Sequence, residues 1–593
     1  MQFDWIIPAQ EYIQRNEWVE SWYNGAFRTY ICLREDADIN AMRLKVEQEV
    51  NNHTNNEANE PLYLQLFADN YLNATFENGV PIGGRIQYVN VLLAIAVFLL
   101  LIACINFMNL ATARSSTRAR EIGVRKVMGA HRGTLSQQFF SESFLHAFFS
   151  MAVAVLVVYL TLPYFNTLTG KSLILEFEST EVWLFIIGMT LVTGLLSGSY
   201  PALMLSSFTI IRSLKGLTKI GKGAYFRNGL VTFQFAISIF LICGTLIVSK
   251  QMDFILNKDL GLEKENVIMV RKTGELNRLN DVYKTSLAAL PEIKQVTFAS
   301  GNPLSYGSST GGARWDGKNP DDVIEINVLS VDADFLQTMG MRLVEGRDFS
   351  NNVAVDSAHY IVNEVLATIM GFDSPVGKGL YVWGVDGTVI GVVKNFHMDS
   401  MYEPIAPLII RYDPGNTSVA FIRTQGNVKT AIEEIEAVTK KLNPAFPVRY
   451  QFLDQEYSQA YQGEKTVSTL VNIFAGVSIF ISCLGLLGLS SFTADQRSKE
   501  IGIRKIHGAT SWRLVLLLSR HYAKLMVLAF IMATPIAYFY MQNWLSDFAF
   551  RVTPGLLLFI VAGIIAFVLG TLTVSIKSYQ AAITNPINTL REE

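Results

Sequence analysis

The chain has 593 residues, half of them hydrophobic and only 17% charged, against roughly 25% charged in soluble domains, and its mean hydropathy is +0.27. A net charge of −2 gives no overall basic excess for nucleic acid, and four scattered cysteines (Cys32, Cys104, Cys243, Cys483) supply neither a disulfide framework nor a zinc site. The seven histidines contain no HExxH pair. These properties describe a membrane protein.

A bilayer-crossing helix needs about 20 apolar residues, because a charge at its centre costs about 2.5–3.5 kcal/mol. In chain order, residues 1–85 are polar, and 27–47 (FRTYICLREDADINAMRLKVE) predict a strand, an Asp-containing turn and a helix. A second strand-like stretch ends near Asp69. The first span is 86–113; Asn106 and Asn109 share one of its faces, where interhelical hydrogen bonding is expected. A basic connection (Arg114, Arg118, Arg120, Arg125, Lys126, Arg132) leads to the second span, 143–170. Gly170-Lys171-Ser172 is not a phosphate loop, since Phe165 stands where its first glycine is required. An acidic connection with Glu176, Glu178 and Glu181 precedes the third span, 182–211. The run 212–227 holds Arg212, Lys215, Lys219, Lys222 and Arg227 without an acid, and reads as a solvated linker in preference to a headgroup or partner site. The fourth span is 228–249.

A long polar region follows, 250–465. Within it, 295–313 (QVTFASGNPLSYGSSTGGA) carries no charge, but its Gly and Ser content predicts a loop. Residues 417–436 (TSVAFIRTQGNVKTAIEEIE) again predict strand, turn and helix, with a strand-like stretch ending near Asp454. His359, His397 and Asp399 match no nucleophile elbow or metal signature and read as scattered polar groups. The last spans are 466–494, 525–546, where Pro535 predicts a kink, and 552–576. No GxxxxGK[ST] motif is present, so ATP hydrolysis is not expected of this chain.

Charge sets the orientation. The connection 495–524 holds seven cations against Asp495 and Glu500, which puts it with 114–142 and 212–227 on the cytoplasmic side. Residues 1–88 sum to −7 and 251–465 to −8, leaving +13 for the remainder. Both polar regions therefore lie outside, and the C-terminus inside.

Internal repetition is the most informative feature. Residues 118–130 (RAREIGVRKVMGA) and 497–509 (RSKEIGIRKIHGA) agree at eight of thirteen positions, at an offset of 379. Cys104 matches Cys483 and Ser199-Tyr200 matches Ser578-Tyr579 at the same offset. Blocks 86–211 and 466–590 are thus copies of three spans, each preceded by a matching β-α-β piece. The copies are unequal: about 170 residues of the second unit, including span 228–249, have no counterpart in the first. Within this sequence no signal peptide or span is read ahead of residues 1–88 to export them. Either the chain is shortened at its N-terminus or span 86–113 exports the first domain; the sequence reading favours shortening. In each copy the cytoplasmic segment pairs Glu121 with Arg125, or Glu500 with Arg504, at i,i+4, and Gly129 or Gly508 is expected to end the helix. A helix ending in a charged, capped elbow suits a lever receiving force from a partner.

The repeated REIGxRK…GA segment resembles the permease subunits of FtsX/MacB/LolC-type ABC transporters. So do VDADFLQTMGMRLVEGRDFS (331–350), IVNEVLATIMG (361–371), VIGVVKNFHMDSMYEPIAPLII (389–410), PALMLSSF (201–208) and the terminal NPINTLREE. The resemblance is to the duplicated eight-span form common in Bacteroidetes-like bacteria, without its first span. It implies an α-helical integral membrane protein of the bacterial inner membrane, with α/β periplasmic domains of the MacB core type and an internal duplication. The implied division is a partial periplasmic domain (1–85), a membrane block (86–211), a linker (212–227), a leading span (228–249), a periplasmic core domain (250–465) and a second membrane block with tail (466–593). The resemblance also implies a permease without cofactor that is driven by a separate cytoplasmic ABC ATPase dimer and works by mechanotransmission. Its cargo would be antimicrobial-type compounds or lipoproteins, with a periplasmic adaptor or outer-membrane partner. The rival reading is a non-transporting scaffold that regulates a periplasmic partner such as a cell-wall hydrolase. In the family the elbow is the coupling helix, so the implied ATPase contacts are Glu121, Gly123, Arg125, Lys126 and Gly129, with Glu500, Gly502, Arg504, Lys505 and Gly508.

Overall fold

The computed structural model describes residues 8–22, 25, 27, 29–54, 61–77, 80–206, 221–302, 308–319, 322–350, 352–397 and 401–583, with backbone alone at 112–123, 204–206, 221–224 and a few single positions. Among the described residues seven long helices coincide with the seven predicted spans: α1 (Arg85–Val127), α2 (Arg132–Thr169), α3 (Thr180–Ser206), α4 (Gly221–Asn257), α5 (Gln462–Gln496), α6 (Ser511–Ser546) and α7 (Leu556–Ile583); 207–211 of the third span lie outside the described residues, and 552–555 of the last precede its helix. Each contains a stretch long and apolar enough to cross a membrane. α6 stays helical through Pro535, where the sequence predicts a kink, and α2 through Pro163.

The chain forms two compact units, residues 1–98 and 99–593. In the first, the helix Ile39–Glu47 forms as predicted, because the Asp38 carboxylate accepts from the N–H groups of Asn40 and Ala41. The strands predicted before and after it do not form among the described residues. Residues 29–34 and 61–66 are irregular, and the strands present are a hairpin of β1 (Thr75–Glu77) and β2 (Val80–Gly83). A strand needs a neighbour for its backbone groups, and the corresponding strand of the other copy has two.

That strand belongs to the domain between α4 and α5. Its sheet runs in the order β13 (Tyr450–Phe452), β3 (Val267–Arg271), β12 (Val419–Thr424), β4 (Ile293–Ala299), β6 (Ile326–Val331), β11 (Leu408–Tyr412), β8 (His359–Asn363), β10 (Val385–Val393), β7 (Leu343–Gly346), with β5 (Ser309–Thr310) on β6 and β9 (Gly379–Val382) on β10. β12 is antiparallel to both β3 and β4. Helices Asn280–Ala288 and Val428–Leu442 cover this end, burying Tyr283, Leu287, Ala431 and Ile435 on Ile268, Val270 and Phe298. The loop predicted over 295–313 begins too early: its first residues, Gln295–Ala299, finish β4, because Val296, Thr297 and Phe298 are strand formers that pair with β12.

Below the sheet, α4, α5, α6 and α7 pack as a four-helix bundle around Phe235, Ile239, Ile242, Ile247, Met526, Ala529, Ala533, Ala537 and Phe559. Ser238 of α4 bonds Ser478 and Ser482 of α5 at 3.1 and 2.8 Å, which satisfies buried hydroxyls within the apolar bundle. In the other block α2 and α3 pack together through Gly194 and Gly198, where a Cβ would run into Phe144 and Ser143. α1 approaches α5 at Gly485 and Gly488, which lie against Asn106 and Leu110. Hydrogen bonds are expected of Asn106 and Asn109, but among the described residues their buried Oδ1 atoms have no partner. Gly485 faces Asn106 across the contact, with Gln234 Nε2 beside it.

Candidate functional site

The two cytoplasmic elbows are built alike. In the first, α1 runs unbroken to Val127; the N–H of Gly129 then donates to the Lys126 carbonyl at 3.1 Å, and that of Ala130 to the Arg125 carbonyl at 3.0 Å. In the second, α5 ends at Gln496 and a separate helix, Ser498–Ile506, leads to the turn. There Gly508 donates to Lys505 and Ala509 to Arg504, both at 3.0 Å. Gly129 and Gly508 have φ of +94° and +84°. This bond pair around a left-handed residue is the Schellman cap, which satisfies helix-terminal carbonyls and favours glycine for want of a Cβ. The turn leads at once into the next long helix, at Arg132 and Ser511.

The implied contact residues are placed unequally. The Glu121 side chain and Gly123 lie outside the described side chains. Arg125 is exposed and its Nη1 donates to Gln138 Oε1 at 2.7 Å, tying the elbow to α2. Glu500 and Arg504 form their i,i+4 pair at 2.7 Å, half exposed, a geometry worth about 0.3–0.5 kcal/mol. Lys126 is half-buried, and Lys505 turns inward, donating to the Ala582 carbonyl near the end of α7 at 2.8 Å. Gly502 is buried, next to Ile501, which packs on Leu514, Leu518 and Ala582. Sequence reasoning missed the apolar pair on each elbow. Val124 and Val127 are 51% and 60% exposed, and their repeat partners Ile503 and Ile506 are 50% and 63% exposed. The signal was available as apolar residues kept at matched positions of a charged segment.

At the other end of the bundle, the connection between α6 and α7 is locked to the sheet domain. Gln251 of α4 is fully buried; its Nε2 donates to the Phe550 carbonyl and its Oε1 accepts from the Val552 N–H, both at 2.9 Å. The N–H groups of Ala549 and Phe550 donate to the carbonyls of Tyr402 and Met401 at 3.2 and 3.3 Å. Phe548 stacks on Tyr402, with ring centroids 4.3 Å apart, and meets Trp544 edge-on. Phe550 meets the edge of His397 on one side and the Lys258 ammonium, 3.8 Å from its centroid. Burial and the Lys258 charge push the His397 imidazole down to about 4, so it is neutral at pH 7. The start of α5 joins in: Tyr461 Oη accepts from the Met401 N–H, and Tyr402 Oη donates to Glu464. One apolar core therefore runs from Met252 and Ile255 of α4 through Phe548 into Leu329, Phe335 and Phe421 of the domain.

The histidines weighed as catalytic have other partners. His359 Nδ1 lies 2.9 Å from the buried Asp356 carboxylate, which also accepts from Arg347, Ser350 Oγ and the Ser350 N–H. His397 belongs to the lock just described, and Asp399 lies outside the described residues. Among the described residues no three His, Cys, Asp or Glu side chains form a group able to hold a metal ion. Gly170 ends α2 in the left-handed conformation.

Comparison with known proteins completes the picture. The FtsX-like permease C-terminal domain matches residues 93–210 and again 472–586, and the MacB-like periplasmic core domain matches 232–438; together they cover well over half of the chain. The chain belongs to the FtsX/MacB-type ABC transporter permeases. Among relatives, the "Uncharacterized ABC transporter permease YknZ" of Bacillus subtilis is 22% identical over 45% of this chain and 70% of its own length. A "Macrolide export ATP-binding/permease protein MacB" of Bartonella quintana is 27% identical over 40% of this chain, which spans 36% of that relative's length. The periplasmic region of MacB from Actinobacillus actinomycetemcomitans aligns over 35% of this chain and 97% of its own at 14% identity, with a TM-score of 0.26. This FtsX/MacB-type permease is a multi-pass membrane protein whose eleven-stranded domain is periplasmic. The doubled FtsX match coincides with the repeat read from REIGxRK…GA.

Proposed function

We propose that this permease relays force across the inner membrane by mechanotransmission. A separate cytoplasmic ABC ATPase dimer grips the two elbows through Val124, Val127, Ile503 and Ile506, with Arg125 and Arg504 beside them. Its ATP-driven closure tilts α1 and α5, and the lock at 547–552 passes the movement to the periplasmic domain. The observation that carries this reading is the unbroken mechanical path. Rigid capped elbows join long helices, and the bundle and the periplasmic domain share one apolar core. Packed cores switch between discrete arrangements and deform little in between, which suits them to carry displacement. The ATPase, and a periplasmic adaptor or outer-membrane partner, are separate polypeptides; the cargo is an antimicrobial-type compound or a lipoprotein-like molecule, in line with the export named for MacB. The domain division at residues 85, 211, 227, 249 and 465 forms part of this proposal.

Co-purification with a co-expressed ABC ATPase of the same bacterium tests the coupling. The variant Arg125→Glu/Arg504→Glu, and separately Val127→Asp/Ile506→Asp, should lose the ATPase while the protein still reaches the membrane. Retention of the ATPase by both variants at the wild-type level refutes the elbow assignment.

A further inference from the structure

Between α6 and α7 lies a cavity of about 260 Å³. Met526, Val527 and Phe530 of α6 line it with Gly563, Ile564 and Phe567 of α7, and every lining residue is apolar. Gly563 sits so close to the Phe530 ring that a Cβ there would run into it. Val527 and Ile564 are 50% and 56% exposed, so the cavity opens away from the bundle, towards lipid. Its volume falls below the roughly 300–1,000 Å³ of sites that enclose a compact small molecule. It suits a length of alkyl chain.

The charge at its mouth narrows the occupant further. α6 runs from the cytoplasmic elbow at Ser511 towards the periplasmic lock, so residues just before Met526 lie on the cytoplasmic side of the cavity. Arg520 and Lys524 fall there. With Val527 they recur at i, i+4 and i+7, which puts both cations on the helix face that borders the cavity. At 1.5 Å per residue, Val527 lies ~4.5 Å and Phe530 ~9 Å beyond Lys524 along the axis. Both cations are exposed, and among the described residues no carboxylate pairs with either. Long cationic side chains near a span end carry their charge out to the headgroup layer. The other copy of the block has neither cation. At the 379-residue offset it holds Ser141 and Leu145, with the acidic Glu142 between them, and Leu184 and Phe185 replace Gly563 and Ile564.

We propose that the α6–α7 groove binds one anionic phospholipid of the cytoplasmic leaflet. Its headgroup meets Arg520 and Lys524, and one acyl chain lies along Val527, Phe530 and Ile564. A zwitterionic lipid offers the chain without the net charge, and a soluble phosphate offers the charge without the chain. Only an anionic lipid uses both parts of the site.

The test uses the full chain in phosphatidylcholine nanodiscs with a trace of lipid that carries a diazirine in its acyl chain, either phosphatidylglycerol or phosphatidylcholine. After illumination, labelling of peptides covering 526–530 and 560–567 is compared with that of 147–151 and 181–188, the same positions of the first block. Dividing the phosphatidylglycerol yield by the phosphatidylcholine yield at each place cancels differences in peptide response. This quotient should be about tenfold higher at α6–α7 than at α2–α3, within what two cations beside an anionic headgroup supply. Arg520→Gln/Lys524→Gln should reduce it to the first-block value, with phosphatidylcholine labelling as in wild type to show that the helices still pack. Ile564→Trp, which fills the cavity and keeps both cations, should lower phosphatidylglycerol labelling of 526–530 severalfold. Equal quotients in the two blocks of the wild type would overturn the proposal, as would an excess that survives the double substitution. Labelling unaffected by Ile564→Trp would place the chain outside the cavity and overturn it too. Excess inorganic phosphate should leave the quotient unchanged; its collapse would assign the cations to a soluble anion and refute the lipid site.

Discussion

Gln251 offers the most direct measurement of the periplasmic lock. Gln251→Leu keeps a side chain of similar bulk but removes both 2.9 Å bonds, leaving the Phe550 carbonyl and the Val552 N–H facing a buried apolar group. A buried polar group left unsatisfied costs about 1–3 kcal/mol, and the 547–552 turn can avoid that cost only by opening to water. Destabilising the closed turn by about 1.4–2.8 kcal/mol corresponds to amide exchange about 10- to 100-fold faster. Hydrogen exchange read by mass spectrometry on the full chain in lipid nanodiscs should show this acceleration in peptides covering 547–555. Peptides covering β12 should remain at the wild-type rate, since Phe421 and Ile422 are fully buried in a paired strand. Exchange at 547–555 within about twofold of wild type in the leucine variant, with β12 intact, would show that the turn is held by something else.

Other expectations follow from the same geometry. Gly508→Ala and Gly129→Ala should each destabilise their elbow by about 1–2 kcal/mol, because φ is positive and nothing lies near the new Cβ, so the penalty is backbone strain alone; local exchange at 504–511 and 125–132 measures it, and a difference between the two elbows would argue against a shared cap. The Asp348 carboxyl is pushed up to about 6, first by burial and further by Asp334 and Asp356, so the folded domain binds a proton that the unfolded chain releases near 4. Its contribution to stability therefore falls as pH rises through that window, and Asp348→Asn should raise the thermal midpoint at pH 7 but not at pH 3.5, a buffer value chosen near the ordinary carboxyl range. His397, held neutral down to about 4, works in the opposite direction: stability is lost as pH falls from 6.5 towards 4, because only the unfolded imidazole takes the proton. His397→Gln should flatten that part of the thermal profile, and an unchanged slope would remove His397 from the lock. Asp356→Ala should cost about 3 kcal/mol, since it strands Arg347 and His359 beside an emptied buried site, measured as the loss of thermal midpoint at pH 7.

Much of the membrane part was legible because its rules are local. A run of about twenty apolar residues without charge can end only in a spanning helix or a buried one, and each of the seven windows falls largely on one of the long helices among the described residues. The elbow was readable for the same reason: a glycine after REIGxRK leaves a helix one low-strain way to stop, and both copies took it. Pairing partners were not readable. FRTYIC carries the residues of a strand, yet Thr29 to Leu33 pair with nothing described, whereas AFIRT lies between β3 and β4. Propensity in a strand is a preference that a neighbour must complete.

By itself the sequence determined the spans, their orientation, the duplication and the caps, because helix length, charge asymmetry and glycine geometry act within a few residues of one another. Only the tertiary structure decided that Gln251 would hold residues three hundred positions away, that Lys505 would turn inward to α7, and that Asn106 would face a glycine. Those outcomes depend on which helices lie side by side. That choice is made by packing among many near-equivalent apolar surfaces, and periodicity along a single helix does not encode it.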